Sequence, residues 1–172
     1  MSWLAKSGPA REPDEDVLEA EAERALHPFR QKRADLNHLR ERLLDIMWDD
    51  VGVIRDAAGL DRAIAALDEI EAELLATGIA DGDRRFNLTW QDWLNMRSLV
   101  ETSRVIARAA KWRENSRGAH FRTDFPAPGD FGTSRFSIAR QAAGQLAITD
   151  APVVFSHVRP GETLVQDKAA AE

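Results

Sequence analysis

The densest polar run of this 172-residue chain is RENSRGAHFRTDFP, from Arg113 to Pro126. An arginine fork matches the paired oxygens of a carboxylate or the oxygens of a phosphate, and a histidine beside an acid is held in one tautomer. Gly118 offers a position where positive φ carries no steric penalty, so the chain can turn sharply and aim Arg117, His120 and Arg122 in different directions. Two readings of these residue types stand open. The side chains tie the loop to the helices before it, or they face a ligand or a docking partner.

Other chemistry is sparse. His27, His38, His120 and His157 show no HExxH or paired-histidine spacing, and Ser116 has no G-x-S-x-G elbow around it, so neither a zinc site nor a hydrolase nucleophile is expected. With no cysteine, the chain holds no disulfide, thiolate nucleophile or cysteine-ligated iron–sulfur cluster. The net charge of −6 argues against general nucleic-acid binding. Its distribution is uneven: residues 12–23 carry seven acids and no base, whereas residues 104–122 carry six Arg or Lys against Glu114 alone. The start, MSWLAKSGPAREPDED, has no basic segment followed by an apolar one, and no stretch approaches the roughly 20 apolar residues of a membrane span. A cytoplasmic protein without membrane insertion is expected.

The elements that must position the Arg113–Pro126 loop are helical. Hydrophobic residues make up 44% of the chain, enough for one core in a domain of this length. Residues 1–14 read as a flexible linker, with Asp14 capping a short polar helix that runs to about Ala25 and stops at Pro28. Leu36, Leu39, Leu43, Leu44, Met47, Trp48 and Val51 recur at spacings of three and four, which predicts a helix over about 33–50. VGVIRDAAG reads as a turn, with a second apolar stripe, Leu60, Ile64, Leu67, Ile70 and Leu74, ending near Gly78. Asn87 or Thr89 can cap a third long helix, through Trp93, Met96, Val100, Ala107 and Ala110 to about Trp112.

On that third helix Arg97, Arg104, Arg108 and Lys111 form one stripe, read as a salt-bridged face rather than a nucleic-acid surface. Leu94, Val105, Ala109 and Trp112 lie away from Met96, Val100 and Ala107, so the helix is expected to touch something besides its own bundle. The fold class is therefore mainly α: a three-helix antiparallel bundle, a short polar helix before it and a small β-hairpin-like segment after it. The organisation expected is a linker over 1–14, the bundle and loop over 15–126, a short-strand extension over 127–165 and a disordered tail over 166–172. RFSIAR, QLAIT and PVVFSHV are the predicted strands.

The stretch NSRGAHFRTDFP resembles the SRGAHxRxDxP loop in the C-terminal helical domain of the succinate dehydrogenase and fumarate reductase flavoprotein family, which includes L-aspartate oxidase. Upstream, Met47, Trp48, Val51, Gly52, Arg55 and Leu60 resemble that family's MWxxVGxxRxxxGL segment, and Asn95 with the Ala-rich helix before Arg113 resembles its third helix. The resemblance spans about residues 36–126. It marks Arg113, Ser116, Arg117, Gly118, His120, Arg122, Asp124, Pro126, Met47, Trp48, Gly52 and Arg55 as family-motif and candidate docking residues. Met47 and Trp48 are expected to wedge the hairpin corner, and Gly52 to let the chain break there without a β-carbon clash.

The same resemblance implies a redox assembly. Family members bind FAD through an N-terminal glycine-rich fold, and their substrate-binding His and Arg residues lie upstream of the helical domain. No GxGxxG following a strand occurs in these 172 residues, so no catalytic, cofactor-binding or metal residue is assigned here, and FAD belongs to a partner or parent protein. The expectation is a helical docking domain or split subunit that packs on a flavin-binding domain, with Arg117 and Arg122 pairing with its acids or carbonyls. The rival readings are a free-standing interaction module without a redox role and a small anion- or nucleotide-binding module.

Overall fold

A computed structural model describes residues 12–142 and 145–162. The tail expected over 166–172, and all of the expected linker except residues 12–14, lie outside the described residues. Four helices follow: α1 (Glu15–Leu26), α2 (Asn37–Asp49), α3 (Ala57–Leu75) and α4 (Leu88–Trp112). Three begin on a side-chain cap that satisfies an otherwise unpaired N–H. Asp14 accepts from Asp16 N, Asp56 from Gly59 N and Asn87 from Trp90 N, at 3.1, 2.7 and 2.8 Å.

Two helix starts differ from expectation. Residues 32–33 do not belong to α2: Lys32–Arg33 form a short strand, β1, and α2 begins only after Asp35 has accepted a hydrogen bond from Asn37 N. Conversely, α3 begins before Leu60 because Asp56 caps it, which puts Gly59 inside its first turn rather than in the preceding loop.

The core repeats the helical period. Leu39 and Leu43 on α2, Leu60, Ala63, Leu67, Ile70 and Leu74 on α3, and Trp93, Met96, Val100 and Ala107 on α4 are buried together. α3 packs against both α2 and α4, and each fully buried aliphatic side chain contributes about 1.5–3 kcal/mol of transfer free energy. Trp93 is completely enclosed, and its indole N–H donates to the carbonyls of Leu74 and Thr77, at 3.2 and 2.9 Å, just where α3 ends. The basic stripe of α4 lies along the acids of α3: Arg104 meets Asp68 and Glu71, Arg108 meets Asp68, and Lys111 meets Asp61. Such surface pairs add little stability each, but together they set the register of α4 on α3.

Two parallel strand pairs staple opposite ends of this helical body. β1 pairs with β3 (Thr77–Gly78), joining the start of α2 to the end of α3. β2 (Ile54–Arg55) pairs with β4 (Phe121–Arg122), joining the approach to α3 to the loop beyond α4. Downstream, β5 (Arg135–Ala142) and β6 (Gln145–Pro152) form an antiparallel hairpin. PVVFSHV is not a third strand. β6 ends at Pro152, and beyond it Val153 N donates to the Ser134 carbonyl at 2.9 Å without continuing the ladder. The second apolar side of α4 meets this hairpin: Val105 shares a cleft with Leu146, and Trp112 shares one with Ile148.

Two apolar positions, Leu44 and Trp48, were misplaced by periodicity. Met47 packs partly against the core, but Trp48 is 83% exposed and wedges nothing within the described residues. At about 100° per residue Trp48 sits roughly opposite Leu39 on α2, sharing an outer stripe with the exposed Leu44. Trp93→Ala is accordingly expected to cost about 3–5 kcal/mol in urea denaturation. Trp48→Ala should change the stability of the same chain by no more than about 0.5 kcal/mol.

Candidate functional site

The loop after α4 is built around a buried cation. Arg122 is 1% exposed and turns back under the end of α4, where its Nη1 donates to the carbonyls of Ala110, Lys111 and Arg113 at 3.1, 3.0 and 3.1 Å. These are carbonyls that a helix leaves without N–H partners at its C-terminus, and a cation there also meets the negative end of the helix dipole. Asp124 completes the neutralisation by accepting from Nε and Nη2 at 2.7 and 2.5 Å. Its Oδ2 accepts in addition from Ala57 N at 3.1 Å, so the loop reaches the first turn of α3. The Phe125 ring lies 4.9 Å from the guanidinium.

Ser116 stitches the loop from inside. Its hydroxyl accepts from Arg122 N and donates to the Phe125 carbonyl, both at 2.8 Å. Gly118 adopts φ +57°, and this left-handed residue allows Arg117 and His120 to exchange two backbone hydrogen bonds across a tight turn. Arg117 is occupied within the chain: it donates to the carbonyls of Pro128 and Asp130 and to Ser134 Oγ, and its guanidinium lies 4.6 Å from the Phe131 ring. Arg117 and Arg122 thus pair with the same kinds of group expected of them, carbonyls and a carboxylate, but those of their own chain. Pro126 is exposed where the loop leaves. At the other corner, a β-carbon on Gly52 would come within 2.6 Å of the Trp48 carbonyl, so this close approach requires glycine.

The parallel pair β2–β4 brings the two motifs together. Phe121 N donates to the Val53 carbonyl and Thr123 N to the Arg55 carbonyl, at 3.1 and 2.9 Å, which sets Arg55 beside Arg113, His120 and Arg122. Burial, reinforced by the charges of Arg113 and Arg122, lowers the pKa of Arg55. His120 is shifted down for the same first reason, with Arg113 and Arg55 adding to it, so its imidazole is held neutral. Arg55 Nε and His120 Nε2 are both buried with no hydrogen-bond partner. Arg55, Arg113 and His120 line one cleft of about 440 Å³ with Ile106 and Phe136. The last two were not singled out from sequence, although Leu99 and Ile106, seven apart and both exposed, mark an outward stripe of α4.

Among the described residues no group of three or more acidic or histidine side chains could hold a metal ion. Cations and apolar side chains line the outer side of a corner that is fixed on its inner side. Arg122→Ala should lower stability by about 3 kcal/mol in urea titrations, since buried acceptors lose their partner. The pH dependence follows from two depressed pKa values. Hydrogen bonding to Arg122 holds the Asp124 carboxyl down at about 2, against an ordinary 3.8. Its stabilising contribution is complete above 3.8 and is lost as pH falls towards about 2. The lowered His120 adds a loss that begins below its ordinary 6.5. Thermal melts should thus weaken on acidification, and Asp124→Asn should flatten the lower part of that decline.

Comparison with known proteins places these motifs in a longer context. The family described as fumarate reductase flavoprotein C-term matches residues 40–165. An uncharacterized FAD-dependent oxidoreductase of Methanocaldococcus jannaschii is 33% identical over 113 residues, covering 63% of this chain and 20% of the relative. The fumarate reductase flavoprotein subunit of Mycobacterium tuberculosis is 30% identical over 130 residues, covering 71% of this chain and 22% of that subunit. The chain thus spans about a fifth of the length of the curated relatives it matches. A solved structure of Mycobacterium smegmatis Sdh1 in complex with UQ1 superposes with a TM-score of 0.74 at 26% identity, covering 88% of this chain and 26% of that one. With the family match extending over most of its length and both motifs joined at one corner, the chain belongs to the C-terminal domain family of the fumarate reductase flavoproteins.

Proposed function

We propose that the chain is the helical docking domain of an FAD-dependent oxidoreductase of the succinate dehydrogenase and fumarate reductase type. In this reading it packs on a flavin-bearing body, either in the same polypeptide or as a separate subunit, and holds that body in its working shape. FAD and the substrate groups belong to the flavin-bearing body, and this chain supplies no reacting group. Remote packing of this kind acts by fixing the positions of the groups that react.

The observation that carries the reading is the exposure of Trp48. A motif tryptophan at 83% exposure, followed in the chain by the exposed Val53 and Ile54, leaves a large apolar area in water. Tryptophan is also the side chain most enriched where protein interfaces concentrate their binding energy. The family match and the flavoprotein relatives supply the kind of body that would cover it. Among the described residues no helix is long and apolar enough to cross a membrane.

The test is co-expression with a flavin-bearing member of the family that ends before its own helical domain. A yellow complex should co-elute in gel filtration, and Trp48→Ala should weaken it by about 2 kcal/mol, or about 30-fold, without loss of helical content. Separate elution of the wild-type chain and the flavoprotein would remove the docking role.

A further inference from the structure

Among the cations around the cleft, Arg122 and Arg135 have a carboxylate partner, whereas Arg55 and Arg113 have none. Arg122 has Asp124, but no acidic side chain among the described residues lies within ion-pair distance of Arg55 or Arg113. Three of the nearby acids are engaged elsewhere, Asp56 accepting from Gly59 N, Asp124 from Arg122 and Ala57 N, and Asp50 from Arg62, while Glu114, next to Arg113 in the chain, forms no ion pair with Arg55 or Arg113. Arg113 reaches only the Asn115 amide oxygen, at 3.2 Å, and Arg55 makes a marginal contact of 3.5 Å with the Ala119 carbonyl. His120, 9% exposed, and Arg55 both line the same cleft, and each has a buried ring or guanidinium nitrogen without a hydrogen-bond partner. Unmatched like charges beside two buried nitrogens without hydrogen-bond partners are costly.

An anion placed in this cleft would answer both defects. Its source is indicated by the walls. Ile106 and Phe136 line the cleft at 44% and 58% exposure, and Ile54 and Phe121, the chain neighbours of Arg55 and His120, are also exposed. A small dissolved ion would leave that apolar rim in water, whereas a protein surface would cover it as it delivered the charge. The negative charges carried by unmodified protein side chains are the carboxylates of Asp and Glu, whose planar oxygen pair fits the arginine fork.

We propose that the Arg55–Arg113–His120 cleft is a receptor for one Asp or Glu side chain projecting from the flavin-bearing body. This rests on the docking role proposed above and adds the chemistry of its central contact. The carboxylate takes the guanidinium forks of Arg55 and Arg113 beside the His120 imidazole, whose Nε2–H tautomer can donate to it, and Ile106 and Phe136 close against the apolar surface around it. A charge pair removed from water in this way fixes the register of docking more than it adds to affinity.

The experiment has two arms. The first uses the chain alone: its Arg Nε–Hε and His ring signals are followed by NMR while sodium acetate is titrated against sodium chloride of equal ionic strength. Arg55 and His120 signals should move saturably with acetate, and Arg113→Gln should abolish the response. No response beyond that to chloride overturns the cleft, and so does inorganic phosphate binding about tenfold more tightly than acetate, which would make it a phosphate site. The second arm measures association with the flavin-bearing protein. Arg55→Gln and Arg113→Gln, each checked for unchanged circular dichroism, should each weaken association by about tenfold or more, mainly through faster dissociation. If both bind like wild type while Trp48→Ala binds weakly, docking stands and the carboxylate receptor falls. If wild type itself does not bind, the docking role fails, and with it the assignment of the carboxylate to that body.

Discussion

A single guanidinium decides how this chain ends its longest helix and begins its functional corner. Arg122 lies beneath the C-terminus of α4, saturates three carbonyls there and is neutralised by Asp124, which in turn holds the first turn of α3. A buried arginine is tolerable only when nearly all of its donors are used, because an isolated interior charge costs several kcal/mol. That requirement dictates the surrounding residues. A small hydroxyl at Ser116 must stitch the loop interior, a glycine must turn the chain at position 118, and an acid must stand two residues after the arginine.

The corner therefore has a finished side and an unfinished one. Towards the helices, every nitrogen of Arg122 has an acceptor, and Arg117 clamps the segment leading to the hairpin. Towards solvent, Arg55 and Arg113 repel each other across a cleft, and a tryptophan of the same family motif stands in water. Stability alone explains the first side and runs against the second. The contrast separates residues that make the domain fold from residues left without partners inside it, and the two sets lie within a few residues of each other.

Much of the helical fold was legible because burial leaves a period in sequence: the stripes of α3 and α4 and the Asn87 cap all announce themselves. Trp48 defeated that reasoning, since an apolar residue reads as core whether its cover lies in the same chain or in another. The two-residue strands were invisible, being too short for any alternation, and with them the meeting of Arg55 with His120, which are far apart in sequence. Nothing in composition marks Arg122 as buried and Arg55 as unanswered. Both are arginines in charged surroundings, and only the placement of acceptors distinguishes them. The motif resemblance named both residues without saying which faces inward.

The wiring of Arg122 also bears on the order in which the molecule assembles. Its ties to α4 span only 9 to 12 residues, whereas the tie from Asp124 to Ala57 spans 67. Short loops close at little entropic cost and long ones at more, so the turn can form on a nascent α4 while α3 is still searching for its neighbours. The two arginine environments then mature at different times: the inner one is a local product of the chain, and the outer cleft exists only once the ends of the domain have met.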